Sequence, residues 1–184
     1  PRPCSRGGFC PANASEPTPC AAGTYQGAEG ATACDVCPIA SWCGAGSSAA
    51  TPCAAGTVGS EEGLRSADEC SACPQGSWCS TGVAFPCGPS TFNNETSASN
   101  LQACKPCPPN SVSPEASTTL EACECMEGYY ALWETDTLSC ELCPIGANCT
   151  EPGLTFERLP LEEGYWRAHT GTADVRRCPG GIVG

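Results

Sequence analysis

The chain has 184 residues, 19 of them Cys, and a formal net charge of −12. A cysteine content near one in ten marks a disulfide scaffold. So acidic a chain, with Lys105 its one lysine, is excluded from nucleic-acid or anionic-membrane binding.

Core-forming residues are scarce: nine Leu, three Ile, six Val and four Phe. Without crosslinks such a chain would stay disordered, because apolar burial could not offset the entropy of ordering. Bridges worth about 2–4 kcal/mol each must replace the core. Disulfides in this number require an oxidising compartment, which predicts a secreted or cell-surface chain. No apolar run reaches membrane-spanning length, so any membrane contact is expected through parts outside this chain.

Taken in chain order, the sequence repeats. Four C-x2-C-P motifs occur, at Cys34/Cys37, Cys70/Cys73, Cys104/Cys107 and Cys140/Cys143, with Cys4 as the second half of a fifth. The second cysteines are spaced 33, 36, 34 and 36 residues apart, which predicts an array of small modules. Each module opens on a segment such as Cys20-Ala21-Ala22-Gly23-Thr24-Tyr25, Cys53-Ala54-Ala55-Gly56-Thr57-Val58 or Cys87-Gly88-Pro89-Ser90-Thr91-Phe92. Gly before a Thr-aromatic pair reads as the edge of a small hairpin. A polar loop follows, then C-x2-C-P, then a further cysteine: Cys10, Cys43, Cys79 or Cys149. With 21 Gly and 18 Pro, long elements are excluded, and short two-stranded ribbons with almost no helix are expected.

The expected organisation is 1–19, the end of a repeat; 20–52 and 53–86, two repeats; 87–142, a longer repeat; 143–150, a partial repeat; and 151–184, an irregular or β-rich joint. Each module should touch only its neighbours, giving an elongated array. The repeat 87–142 departs from the pattern, with Ser113 where a cysteine is expected and Cys123 and Cys125 appearing later. An odd cysteine count leaves at least one thiol unpartnered within the chain, and Cys178, 29 residues beyond Cys149, is the outlier. It is expected to pair outside the chain. Bridges are expected among Cys20, Cys34, Cys37, Cys43, Cys53, Cys70, Cys73, Cys79, Cys87, Cys104, Cys107, Cys123, Cys125, Cys140, Cys143 and Cys149, with Cys4 and Cys10 joined to each other or completing an upstream unit. Connectivity does not follow from spacing, and sequential pairs such as Cys53–Cys70 and Cys87–Cys104 stand as an alternative to crossed ones.

The stretch Cys87–Cys140 reads C-x16-C-x2-C-P-x14-C-x-C-x2-G-Tyr-Tyr-x9-C. It resembles the EGF-like cysteine-rich segment of ephrin-receptor ectodomains, and the array from Cys4 to Cys149 is similar to the ephrin-receptor-like repeats of large extracellular proteins, notably of algae and protists. The resemblance implies crossed EGF-like pairs: Cys87–Cys107, Cys104–Cys123 and Cys125–Cys140, with Cys20–Cys37, Cys34–Cys43, Cys53–Cys73 and Cys70–Cys79 as analogues. It also implies a spacer or stalk role, with filament-forming flagellar hair proteins as one class built from such repeats. No kinase or ephrin-binding module is present to carry receptor-kinase function.

Other motifs have simpler readings beside the functional ones. Paired C-x2-C motifs can hold zinc, but four in succession with half of a fifth, in a chain that needs crosslinks, favour disulfides, so no metal and no cofactor are expected. His169 is the single histidine and reads as a surface residue. Glu61/Glu62, Asp68/Glu69 and Glu162/Glu163 are adjacent acids, whose side chains diverge in extended backbone. Trp42, Trp78, Trp133 and Trp166 read as covers for disulfides ahead of a ligand-binding ladder. N-x-[ST] sequons place candidate glycans at Asn13, Asn94 and Asn148. The expected function is therefore a non-enzymatic extracellular scaffold whose partners are other extracellular proteins or copies of itself. A ligand-binding receptor segment is the alternative.

Overall fold

The computed structural model describes residues 4–12, 14 and 16–180. Antiparallel two-stranded ribbons make up the β-structure of the described residues, and only single 3-10 turns are helical. The ribbons pair β1 (Gly8–Phe9) with β2 (Thr18–Pro19), β3 (Thr24–Tyr25) with β4 (Asp35–Val36), and β5 (Ser41–Trp42) with β6 (Thr51–Pro52). They continue with β7 (Thr57–Val58) and β8 (Ser71–Ala72), β9 (Ser77–Ser80) and β10 (Val83–Pro86), and β11 (Thr91–Phe92) and β12 (Lys105–Pro106). The last three are β13 (Ser111–Val112) with β14 (Glu124–Cys125), β15 (Tyr129–Glu134) with β16 (Thr137–Leu142), and β17 (Tyr165–Trp166) with β18 (Arg176–Arg177). Between the last two ribbons a single antiparallel bridge, Ala147↔Leu161, marks a further, minimal hairpin. The chain divides into two compact units, one of Pro1–Cys87 and Asn93–Cys104, the other of Gly88–Phe92 and Lys105–Gly184.

One hexapeptide builds every hairpin. A cysteine (Leu161 in the last hairpin), two turn residues and a residue with φ between 61° and 89° precede a position that is Ser/Thr or aromatic except at Gly8 and Ala147. The left-handed residue is Gly7, Gly23, Ala40, Gly56, Gly76, Ser90, Asn110, Gly128, Gly146 or Gly164. Glycine dominates because a Cβ crowds the backbone in this region. The hydroxyl that follows locks the turn: Thr24 Oγ1 donates to the Ala21 carbonyl at 2.7 Å, Thr57 Oγ1 to Ala54 at 2.7 Å and Ser111 Oγ to Pro108 at 2.7 Å. β-branched and aromatic residues then suit the strand. First strands start at Gly8, Thr24, Ser41, Thr57, Ser77, Thr91, Ser111 and Tyr129, one every 14 to 20 residues. The structural period is thus half the 33–36 residues separating the second cysteines of the C-x2-C motifs. Residues 161–177, expected as a joint, form another hairpin on the same plan, with Leu161 in the cysteine position.

Hairpins are linked in series within each unit. In the first, the left-handed residue donates its N–H into the next hairpin: Gly7 to Gln26, Gly23 to Cys43, Ala40 to Gly59, Gly56 to Cys79 and Gly76 to Asn93, at 2.8 to 2.9 Å. In the second, Ser90 donates to Ser113 and Gly128 to Cys149, at 2.9 and 2.8 Å. The same left-handed residues accept from the cysteine that opens the next hairpin, as in Cys37 N to Gly23 O at 2.9 Å and Cys143 N to Gly128 O at 2.9 Å. Parallel bridges such as Tyr25↔Ser47, Val58↔Gly82 and Ala131↔Thr155 complete the stacking.

The interior is mostly sulfur. In the first unit, Cys20, Cys37, Cys43, Cys53, Cys73, Cys79 and Cys87 are buried. The second unit adds two apolar clusters. Cys123, Cys125, Ala131 and Leu138 pack with Phe92, Leu120 and Tyr129. Tyr130, Ala147, Cys149 and Leu159 pack with Leu154, Phe156 and Leu161.

Candidate functional site

The disulfide framework is the chemistry the chain carries most densely. Nine bridges close: Cys4–Cys10, Cys20–Cys34, Cys37–Cys43, Cys53–Cys70, Cys73–Cys79, Cys87–Cys104, Cys107–Cys123, Cys125–Cys140 and Cys143–Cys149. Cys178 is left as the free thiol, half-buried.

The crossed pairs Cys87–Cys107, Cys104–Cys123, Cys20–Cys37, Cys34–Cys43, Cys53–Cys73 and Cys70–Cys79 are overturned, and pairing is sequential. Cys125–Cys140 is found as the resemblance implied. The two cysteines of a C-x2-C motif belong to consecutive hairpins: Cys34 precedes β4 and closes its own hairpin, while Cys37 follows β4 and opens the next. Three positions apart in extended backbone, their side chains face opposite ways. Each therefore meets the partner within its own hairpin.

Two bridge lengths follow from one position, the sixth residue after each opening cysteine. Where it is Cys, as at Cys10, Cys43, Cys79 and Cys149, the bridge spans 6 residues. Where it is not, the opening cysteine takes the one just before the second strand or, at Cys140, the one within it, at a separation of 14 to 17 residues.

That sixth position is buried in most hairpins, and the sequence reading missed its polar members. Asn93 is fully buried: its Nδ2 donates to the Ser77 carbonyl at 2.8 Å and to Glu95 at 3.1 Å, and its Oδ1 accepts from Glu95 N at 3.0 Å. Gln26 is 8% exposed and binds the Ala33 carbonyl and Ala28 N–H. Ser113 is 5% exposed and donates to the Thr91 carbonyl. In the bridge-free hairpin the position is Arg167, whose guanidinium donates to the carbonyls of Phe156 and Glu157, both at 2.9 Å. The available signal was the offset of six from each opening cysteine, which aligns Gln26, Asn93 and Ser113 with Cys43 and Cys79.

The other candidates are scattered. Asn94 and Asn148 are exposed, and Asn13 lies outside the described residues. Asn148 Oδ1 accepts from Thr150 N at 3.1 Å and Thr150 Oγ1 at 2.8 Å. Trp78 stacks on Phe85 across its ribbon at 4.6 Å, Trp42 is half-buried, and Trp133 and Trp166 are exposed. The four tryptophans make no ring pair with one another among the described residues. His169 is exposed, its Nδ1 accepting from Gly171 N. Glu61, Glu62, Asp68, Glu162 and Glu163 are exposed, and Glu69 accepts from Arg65 N. Among the described residues no three His, Cys, Asp or Glu side chains gather as a metal site.

Two electrostatic environments stand out. Burial, with Glu141 adding to it, pushes the Tyr130 hydroxyl above the usual phenol range. A hydrogen bond from Arg176 holds the exposed Asp174 carboxyl below its usual range.

No protein-family model matches the chain, and no curated protein matches it. The features in hand define a cysteine-rich repeat module of small antiparallel hairpins. Bridges in this number place it among secreted or extracellular chains. No helix among the described residues is long and apolar enough to cross a membrane.

Proposed function

We propose that the chain is a load-carrying extracellular scaffold, a disulfide-stapled stalk segment of a cell-surface or filament-forming glycoprotein. The reading rests on one observation: every closed bridge lies inside a single hairpin, and each hairpin is hydrogen-bonded to the next in its unit. A chain built in this way resists extension hairpin by hairpin, with sulfur doing what an apolar core does elsewhere. Asn94 and Asn148, exposed in polar loops, are the proposed glycan acceptors, adding bulk and solubility. The ephrin-receptor-like, EGF-like resemblance belongs to this proposal and carries no enzymatic role with it.

A second reading, a ligand-binding ectodomain segment, is favoured by exposed apolar pairs. Leu142 (72% exposed) and Ile145 (85%) flank Cys143-Pro144, as Val36 (56%) and Ile39 (61%) flank Cys37-Pro38. Pulling the chain by its ends in a single-molecule force experiment tests the stalk. The scaffold reading expects each release of length to be limited by intact bridges and to grow when reductant is added. Full extension at low force with every bridge intact would overturn it. Saturable capture of a soluble ligand, lost on Leu142→Ser/Ile145→Ser, would support the second reading.

A further inference from the structure

We propose that the hairpin of residues 161–177 is a cleavage site for an arginine-specific serine endoprotease, acting at Arg176 and Arg177. The eight Lys and Arg residues are unevenly placed along the chain. Arg2 and Lys105 precede Pro3 and Pro106, whose tertiary amides fit such proteases poorly. Arg6 lies inside the Cys4–Cys10 bridge and Arg65 inside Cys53–Cys70, so a cut at either leaves the pieces joined. Arg158, Arg167, Arg176 and Arg177 all follow Cys149, the last bridged cysteine. No bridge spans them, and the thiol beyond them, Cys178, is free. Half of the cationic residues therefore sit in a stretch that no bridge spans, where hydrolysis divides the molecule.

Access points the same way. A protease needs a locally opened, extended segment, and opening is cheapest where contacts are few. The hairpin 161–177 has no bridge and no buried residue, and its strands are two residues long. Arg176 and Arg177 form its second strand with both side chains exposed, Arg176 tied only to the surface carboxylate of Asp174. Arg167 holds the hairpin down through the carbonyls of Phe156 and Glu157, beside Leu161 in the Tyr130 cluster and the Glu162 N–H on the Gly146 carbonyl at 2.9 Å. The chemistry is peptide hydrolysis: the protease serine takes the arginyl carbonyl, the amine leaves with a proton, and water then frees the new carboxylate. One water is consumed and no redox partner is needed. The products are a bridged body ending at Arg176 or Arg177 and a following piece that carries Cys178. The proposal holds whether the chain is a stalk or a receptor segment.

Trypsin is the probe, applied to the non-reduced chain, with products followed by mass spectrometry. Cuts after Arg176 and Arg177 are expected first, and the cut after Arg65, scored on reduced aliquots, at least tenfold slower. Arg167→Gln is expected to speed the cuts at Arg176 and Arg177 several-fold by releasing the hairpin. Leu161→Cys/Arg167→Cys, which recreates the Cys143–Cys149 spacing, is expected to slow them about tenfold when mass shows the new bridge. Should the double-cysteine variant fail to fold, Arg167→Gln decides. Cleavage after Arg65 as fast as after Arg176, or rates at Arg176 and Arg177 unchanged by Arg167→Gln, overturns the proposal.

Discussion

Ser113 donates its hydroxyl to the carbonyl of Thr91 at 3.0 Å, from the position at which Cys43 and Cys79 carry bridged sulfurs. A hydrogen bond here replaces a disulfide, and Cys107 is released to pair with Cys123. Removing the hydroxyl in Ser113→Ala is expected to cost about 1 kcal/mol in a denaturant midpoint. Ser113→Cys is the sharper test, since it restores a 6-residue alternative to the 16-residue bridge. Loop-closure entropy favours the shorter ring by about 0.9 kcal/mol, or roughly fourfold. Non-reduced peptide mapping should find Cys107 bridged mainly to the introduced thiol, with Cys123 free. A retained Cys107–Cys123 bridge would show that the surrounding packing, not loop length, selects the partner.

The fully buried Asn93 makes the companion case. Asn93→Ala would strand the Ser77 carbonyl and the Glu95 N–H that its amide satisfies. Asn93→Ala removes three hydrogen bonds at a fully buried side chain where Ser113→Ala removes one, each worth about 1 kcal/mol, so the loss should exceed that of Ser113→Ala in the same measurement. An equal or smaller loss would mean that water enters and replaces the amide.

Two glycines in the same backbone region separate strain from clash. A Cβ on Gly30 (φ 74°) meets nothing within 4 Å, whereas one on Gly82 (φ 80°) overlaps the Ala40 carbonyl oxygen. Gly30→Ala carries only the left-handed penalty of about 1–2 kcal/mol. Gly82→Ala adds an overlap with rigid backbone, expected to be worth about 1–3 kcal/mol more. Comparable thermal midpoints for the two variants would rule out the close approach at Gly82.

Tyr130 gives the chain a pH signature. Its hydroxyl is held above the usual phenol range by burial and by Glu141, so the folded state binds this proton more tightly than the unfolded state. Its stabilising contribution is complete below the unfolded value, about 10, and is lost as pH rises through the higher folded value. In a rapid ultraviolet titration the ionisation lost in Tyr130→Phe should lie above the usual phenol range, and an ionisation lost at or below that range would contradict the buried environment.

The hairpin character was legible because Gly23-Thr24-Tyr25 and Gly56-Thr57-Val58 are glycine-marked. The true period was not, because Ala40 and Asn110 occupy the left-handed position without that mark. Cys37-Pro38-Ile39-Ala40-Ser41-Trp42 is thus the same turn as Cys20-Ala21-Ala22-Gly23-Thr24-Tyr25, written in other residues. Connectivity was hidden for a related reason. With hairpins half the expected length, the cysteines of one C-x2-C fall on either side of a boundary that an EGF-like frame places elsewhere. The bridge-free hairpin was illegible because Leu161 and Arg167 fill positions identified until then only by cysteine.

The bridges divide by loop length, and their removal should too. On chain entropy, closing the 17-residue Cys53–Cys70 loop is worth about 3 kcal/mol and the 6-residue Cys37–Cys43 loop about 2 kcal/mol. Paired Cys→Ser variants of each, compared by denaturant midpoint, should differ in that order. The same arithmetic bears on complete reduction. Losing bridges worth about 2–3 kcal/mol each at every closed hairpin removes more than the 5–15 kcal/mol by which domains are typically stable. Among the described residues, only the second unit has apolar clusters beyond its sulfurs, around Leu138 and around Tyr130 and Leu159. Reduction should therefore abolish the cooperative transition throughout, and partial reduction should leave protected amides near Ala131 and Leu138 longest. Hydrogen exchange at graded reductant tests both statements. Survival of a cooperative melt after all thiols are alkylated would show that the hydrogen bonds between successive hairpins carry stability that loop entropy assigns to sulfur.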